Sequence, residues 1–158
     1  MTAISNSERY FFQFETDFVR DLRCIPMQVR MKLDTCGVKL KLVHWHQFTL
    51  EEREQAITLP CQTVEECQTY RQMLRDLVRA RSGEFPKDLP VDPHPLWLDE
   101  SSIPEVVCEK AESMKVSLTL EQWVNLSPSQ RFALLKLSRP SHENHNFLPA
   151  LREFKLLP

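Results

Sequence analysis

Sliding the chain against itself produces one strong coincidence, at an offset of 78 residues. Ile25-Pro26 falls on Ile103-Pro104, Val29 on Val107, Lys32 on Lys110, Val38 on Val116, and Leu40 and Leu42 on Leu118 and Leu120. Farther on, Trp45 falls on Trp123, Arg53 on Arg131, Leu59 on Leu137 and Glu65 on Glu143. These eleven identities need no gap, whereas composition alone gives about three. The pattern reads as a tandem duplication and constrains the fold, because each copy must form the same unit. A module of about 50 residues is marginal by itself. The expected fold is therefore one domain over residues 1–158, mainly α, with two pseudo-symmetric helical repeats at 25–76 and 103–154 sharing one core. Its organisation is repeat one over 25–80, a Pro-rich connector over 81–102 and repeat two over 103–155.

Physical signals recur with the letters. Pro26 stands where a helix begins and Gly37 where it ends, so that Ile25, Val29, Leu33 and Cys36 share a face. Ile103, Val107, Ala111 and Met114 repeat that face. Thr49 with Glu52 is a capping box, echoed by Ser127 with Gln130 and by Pro128 at the first helical position. A third box, Thr63 with Glu66, opens a long helix whose apolar stripe is Cys67, Tyr70, Leu74 and Leu77-Val78. Between the first two helices of each copy, Val38–Leu42 and Val116–Leu120 alternate apolar and polar, which suits short strands. Thr119 with Gln122 offers a helical turn instead. The connector holds Pro86, Pro90, Pro93 and Pro95, which excludes regular helix, yet it is too apolar for a free linker and should pack in extended form across the two units. The aromatic head Tyr10–Phe14, with Phe18 and Leu22, should cover an edge of the core.

Composition removes several function classes. Twenty basic against twenty-two acidic residues do not favour a general nucleic-acid binder. No apolar run approaches the roughly 18 residues of a membrane helix, and the polar start has no signal-peptide stretch, so a cytoplasmic protein is expected. Two glycines, Gly37 and Gly83, cannot build a phosphate-cradling loop. Five irregularly spaced cysteines read as buried thiols in a reducing compartment rather than a disulfide frame. There is no Gly-x-Ser-x-Gly, no His-Glu-x-x-His and no paired-carboxylate motif, so a non-enzymatic protein is expected.

The densest polar cluster is Arg139, Ser141, His142, Glu143, Asn144, His145 and Asn146, which could hold an anion or a partner's backbone. His142 and His145 lie one helical turn apart, but too few ligands surround them for a metal, and no metal or cofactor is expected. The competing reading is a helix entry capped by Ser141, with Pro149 complicating any continuous helix. His44-Trp45-His46 could line a pocket, but Trp123 lacks flanking histidines, which favours a core tryptophan. Trp45, Trp123, Arg53 and Arg131 are therefore read as structural, each arginine reaching a carboxylate or the carbonyl end of a helix. Arg71, Arg75 and Arg79 form a basic stripe, either a solvated helix face or a partner surface.

Two runs, FFQFETDFVRDLRCIPMQVRMKLDTCGVKLKL over Phe11–Leu42 and QRFALLKLSRPSHENHNFLPALREF over Gln130–Phe154, closely resemble the cyanobacterial nitrate-reductase-associated protein family. The resemblance implies a cytoplasmic, non-catalytic accessory factor for assembly or maturation of nitrate reductase. Its implied partner is the reductase or a molybdenum-cofactor-delivery protein. The alternative is a small-ligand module that binds an anionic pterin or nucleotide-like cofactor through Arg139–Asn146.

Overall fold

The computed structural model describes residues 11–19, 22–139 and 144–157 and is mainly helical. The chain divides into two compact units, Met1–Asp92 and Pro93–Pro158.

In the first unit a 3₁₀ turn, Gln13–Glu15, leads into α1 (Thr16–Val19), followed by α2 (Met27–Cys36), β1 (Val38–Lys39), α3 (Leu42–Gln47), α4 (Leu50–Thr58), α5 (Val64–Ser82) and β2 (Lys87–Asp88). Helix α5 begins at the Thr63–Glu66 box and runs 19 residues to Gly83, whose φ of 82° closes it. Its buried stripe of Tyr70, Leu74 and Val78 repeats every four residues and packs on α2, α3 and α4. Ile25, Val29, Leu33, Trp45, Ala56 and Ile57 complete the core, with Phe11 packed against it. Phe12, also buried, stacks on Phe14 at 5.3 Å. The short strands pair antiparallel, Val38 with Asp88 and Lys39 with Lys87. Thus the first connector does form a strand, but its partner lies in the Pro-rich segment. Tyr10 lies outside the described residues, as does the side chain of Phe18.

The second unit comprises the turn Leu96–Leu98, α6 (Glu105–Ser113), α7 (Leu120–Asn125), α8 (Pro128–Ser138), the turn Asn144–Asn146 and α9 (Phe147–Glu153). Helix α8 is central: Arg131–Leu135, Leu137 and Ser138 are buried against α6, α9 and the Leu96–Leu98 turn. A helix apolar nearly all round has to be enclosed in this way. Pro149 falls within the first turn of α9, where a proline's missing amide costs little, so it does not interrupt that helix. The second connector carries no strand among the described residues; the Thr119–Gln122 box instead opens α7.

Residues 81–102 are shared between the units. Leu89 donates to the Gly37 carbonyl at 2.9 Å in the first, while Trp97 stands edge-on against Phe132 at 5.0 Å in the second.

Several local features recur 78 positions apart. Pro26 and Pro104 are the N-caps of α2 and α6, one residue before the helical start expected for them. Thr49 and Ser127 close capping boxes on α4 and α8. Past the ends of α2 and α6 stand Gly37 and Lys115, both left-handed, with φ of 79° and 60°. At Gly37 the conformation coincides with close approach: a Cβ would lie 2.8 Å from Val91 Cγ2 and 3.0 Å from the Leu89 carbonyl oxygen. Lys115 adopts the same backbone with a side chain, stabilised by Val116 N–H to the Ala111 carbonyl (2.9 Å) and Lys115 N–H to the Glu112 carbonyl (2.9 Å).

The units also share a clasp. The Trp45 indole N–H donates to the Leu22 carbonyl at 2.6 Å, and the Trp123 indole N–H to that of Asp99 at 3.0 Å. Arg53 donates to the carbonyls of Trp45 (3.0 Å), His46 (3.1 Å) and Leu22 (3.3 Å). Arg131 donates to those of Leu126 (3.0 Å), Val124 (3.2 Å) and Trp97 (2.7 Å). Each guanidinium thus satisfies carbonyls at the end of the tryptophan helix and holds the segment that precedes the unit's first long helix.

Because a left-handed conformation costs an L-residue about 1 kcal/mol relative to glycine, Lys115→Gly is expected to stabilise the protein by about that amount. Gly37→Ala should destabilise it by more, since strain and the Val91 contact add. Urea unfolding of the two variants checks both signs.

Candidate functional site

Three cysteines scattered in sequence converge in the first unit. Cys36 ends α2, Cys61 precedes the cap of α5, and Cys67 lies on the first turns of α5. The Cys61 thiol donates to the Cys67 sulfur at 3.4 Å, and the nearby Cys36 thiol donates to the Leu33 carbonyl at 3.9 Å. Cys67 also donates to the Cys61 carbonyl at 3.4 Å, and Cys61 to the Lys32 carbonyl at 3.8 Å. An open cleft of about 280 Å³ reaches this group, lined by Thr35, Cys36, Gln62, Val64, Cys67, Gln68 and Arg71.

Around the thiols the polar groups have structural duties. Lys32 Nζ donates to the Ile57 (2.6 Å) and Leu59 (2.7 Å) carbonyls, and the Tyr70 hydroxyl to that of Ala56 (2.6 Å). Together they satisfy the carbonyl end of α4. Burial lowers the Lys32 ammonium pKa. Interaction with Cys61 holds the Cys36 thiol below its ordinary value, against the opposing effect of burial. The same interaction and burial push Cys61 up, and burial pushes Cys67 up to about 11. The three thiols are thus shifted in opposite directions, Cys36 down and Cys61 and Cys67 up. The spacing of these cysteines carried no such signal. The available clue was that Cys36 and Cys67 each fall on the buried stripe of a helix.

The residues singled out from sequence take varied places. Ser141, His142 and Glu143 lie outside the described residues, as does the side chain of Asn144. Arg139 is exposed at the end of α8, and His145 is exposed in the following turn. Asn146 is buried, and its Nδ2 has no hydrogen-bond partner among the described residues.

Arg71, Arg75 and Arg79 lie under the returning segment Gly83–Asp88. Arg71 donates to the Gly37 carbonyl at 3.0 Å and pairs with Asp88. Arg75 and Arg79 stack on Phe85 at 4.7 and 5.2 Å.

At His44-Trp45-His46 the tryptophan is fully buried and the histidines serve the backbone. Lys41 N–H donates to His44 Nδ1 at 3.2 Å, and His46 Nε2–H donates to the Arg23 carbonyl at 2.8 Å.

Sequence reasoning did not find Glu15, a carboxylate only 1% exposed that accepts from Phe12 N–H (3.2 Å) and from Met27 N–H at the start of α2 (3.0 Å). It holds the N-terminal turn to that helix. Among the described residues no group of three or more His, Cys, Asp or Glu side chains could hold a metal ion, and no helix is long and apolar enough to cross a membrane.

The family described as conserved nitrate reductase-associated protein has a model that matches residues 11–154. The chain belongs to that family. The match takes in the thiol group, both clasps and the Arg139–Asn146 segment. No curated protein and no solved structure matches the chain.

The His44 geometry gives a pH test. Burial first, and Lys41 second, depress its pKa below 6.5. The neutral ring accepts the Lys41 N–H, so this contribution is present above the unfolded value near pH 6.5 and is lost as pH falls through the depressed folded value. Proton-detected titration should place His44 below an unfolded reference, and His44→Ala should flatten the loss of stability that begins below about pH 6.5. A His44 that titrates at or above the reference contradicts the assignment.

Proposed function

We propose that this protein is a non-catalytic accessory factor, needed in the cytoplasm for assembly or maturation of active nitrate reductase, and that it acts by protein–protein contact. The observation that carries this reading is membership of the nitrate reductase-associated family over 11–154. The partner is the reductase before cofactor loading, or a protein that delivers its molybdenum cofactor. An accessory factor of this kind needs only a higher affinity for the empty enzyme than for the loaded one. Leu42, Val43 and Leu50, large apolar side chains exposed at the starts of α3 and α4, are the contacts proposed for it.

The paired features of the two units support a duplicated helical module. In this reading one copy extended its fourth helix into α5 and the other retained the shorter α9. A second functional reading, a small-ligand module for an anionic group at Arg139–Asn146, draws support from the buried Asn146 Nδ2 of that segment, which has no hydrogen-bond partner among the described residues.

Capture by immobilised protein of purified nitrate reductase, prepared without and with its molybdenum cofactor, separates the readings. The accessory role requires preferential retention of the empty form, weakened at least about tenfold (about 1.4 kcal/mol) by the double substitution Leu42→Glu, Val43→Glu. Equal or absent capture of both forms contradicts it. Phosphate binding that is lost in Arg139→Ala would then favour the ligand module.

A further inference from the structure

We propose that Cys36, Cys61 and Cys67 form a thiol redox site that reacts with hydroperoxides and closes an intramolecular disulfide containing Cys61. The case starts from position. Cys36 and Cys67 line the same cleft, whereas Cys61 is buried off its lining with its thiol 3.4 Å from the Cys67 sulfur. Cys61 is thus the inner partner of a close sulfur pair, with Cys36 as the other thiol on the cleft. The backbone around it is tied down by Lys32, whose carbonyl accepts from Cys61 and whose ammonium bonds the end of α4.

Arg71 adds fixed positive charge at the rim: it donates to the Cys36 and Gly37 carbonyls at 3.5 and 3.0 Å and favours a thiolate at Cys36. A cleft-lining cysteine beside an arginine, in a group that holds a close pair of thiols, has the elements of a peroxide-reactive site. Cys24 and Cys108, also partly exposed, are absent from this cluster.

The chemistry balances with hydrogen peroxide as oxidant. The Cys36 thiolate attacks one peroxide oxygen; the sulfur–oxygen bond forms as the oxygen–oxygen bond breaks. Cys36 becomes a sulfenic acid, and hydroxide leaves to take up a proton as water. The Cys61 thiol then attacks the Cys36 sulfur, its proton departs with the sulfenic oxygen as a second water, and the disulfide forms. Cys67 can exchange onto Cys61 and release Cys36 as a thiol. Two equivalents of a small thiol such as glutathione reverse the oxidation, leaving the corresponding small-molecule disulfide.

The test is stoichiometric hydrogen peroxide added to the reduced full chain, followed by intact-mass measurement and then, after alkylation of the remaining thiols, peptide mass spectrometry. The expected product is 2 Da lighter than the reduced chain, carries one disulfide with Cys61 joined to Cys36 or Cys67, and returns to the starting mass with glutathione. Cys61→Ser should lower the yield of that species at least tenfold and leave sulfenic acid trappable at Cys36. Linked-peptide mapping of the unsubstituted chain needs no variant, so a folding defect in Cys61→Ser does not obscure the outcome. No 2 Da loss, a disulfide lacking Cys61, or first oxidation at Cys24 or Cys108 overturns the proposal.

Discussion

A short helix that buries a tryptophan has a difficulty at its end. Its last carbonyls lack partners within the helix, and one that is buried without a donor costs about 1–3 kcal/mol. In both units an arginine eight residues after the tryptophan meets that need. Arg53 reaches Trp45, His46 and Leu22; Arg131 reaches Val124, Leu126 and Trp97. The planar fork of a guanidinium can address several carbonyls together, which the single ammonium of lysine does less well. The same contact fixes the chain entering the unit, because the carbonyl ends of Leu22 and of Trp97–Asp99 are held by the arginine and the indole. Leu22 adopts a left-handed backbone, φ 59°, where its carbonyl accepts from both Trp45 and Arg53.

From that contact the rest of each unit can be followed. In the first, the anchored entry segment leads into α2, whose start is further held by the buried carboxylate of Glu15. Lys32 on α2 then satisfies the end of α4, and Tyr70 on α5 takes another of its carbonyls. Three helices are thereby cross-linked through backbone groups as well as apolar packing. In the second unit Arg131, 3% exposed, sits at the start of the buried helix α8 and draws the Trp97 turn onto it, where the indole meets Phe132.

Much of this was legible in the sequence because the signals were local. The Thr49, Thr63, Thr119 and Ser127 boxes act within one turn, so spacing is sufficient to place them. Gly37 was readable as a helix stop for the same reason, whereas Lys115 in the same backbone state was not, since nothing in a lysine announces positive φ. The stripe of Arg71, Arg75 and Arg79 was visible, but its place beneath Phe85 and Asp88 depends on how the chain returns after Gly83. Glu15 and the three thiols were missed because their partners lie far along the chain: Glu15 bonds an amide 12 residues away, and Cys61 lies against the carbonyl of Lys32, 29 residues before it. Of the Arg139–Asn146 cluster, only the exposed Arg139 and His145 and the buried Asn146 have described side chains. The nitrate link came from the resemblance of two sequence runs and agrees with the family match.

The central claim is that forked donation by the paired arginines, rather than positive charge alone, holds each unit together. Replacing Arg131 by lysine keeps the charge but removes the fork, and equilibrium urea unfolding measures the consequence. The account predicts a loss of about 2–4 kcal/mol, since buried carbonyls of α7 and the Trp97 turn would lose donors inside the protein. A change within about 0.5 kcal/mol, the range of an ordinary surface substitution, would contradict it.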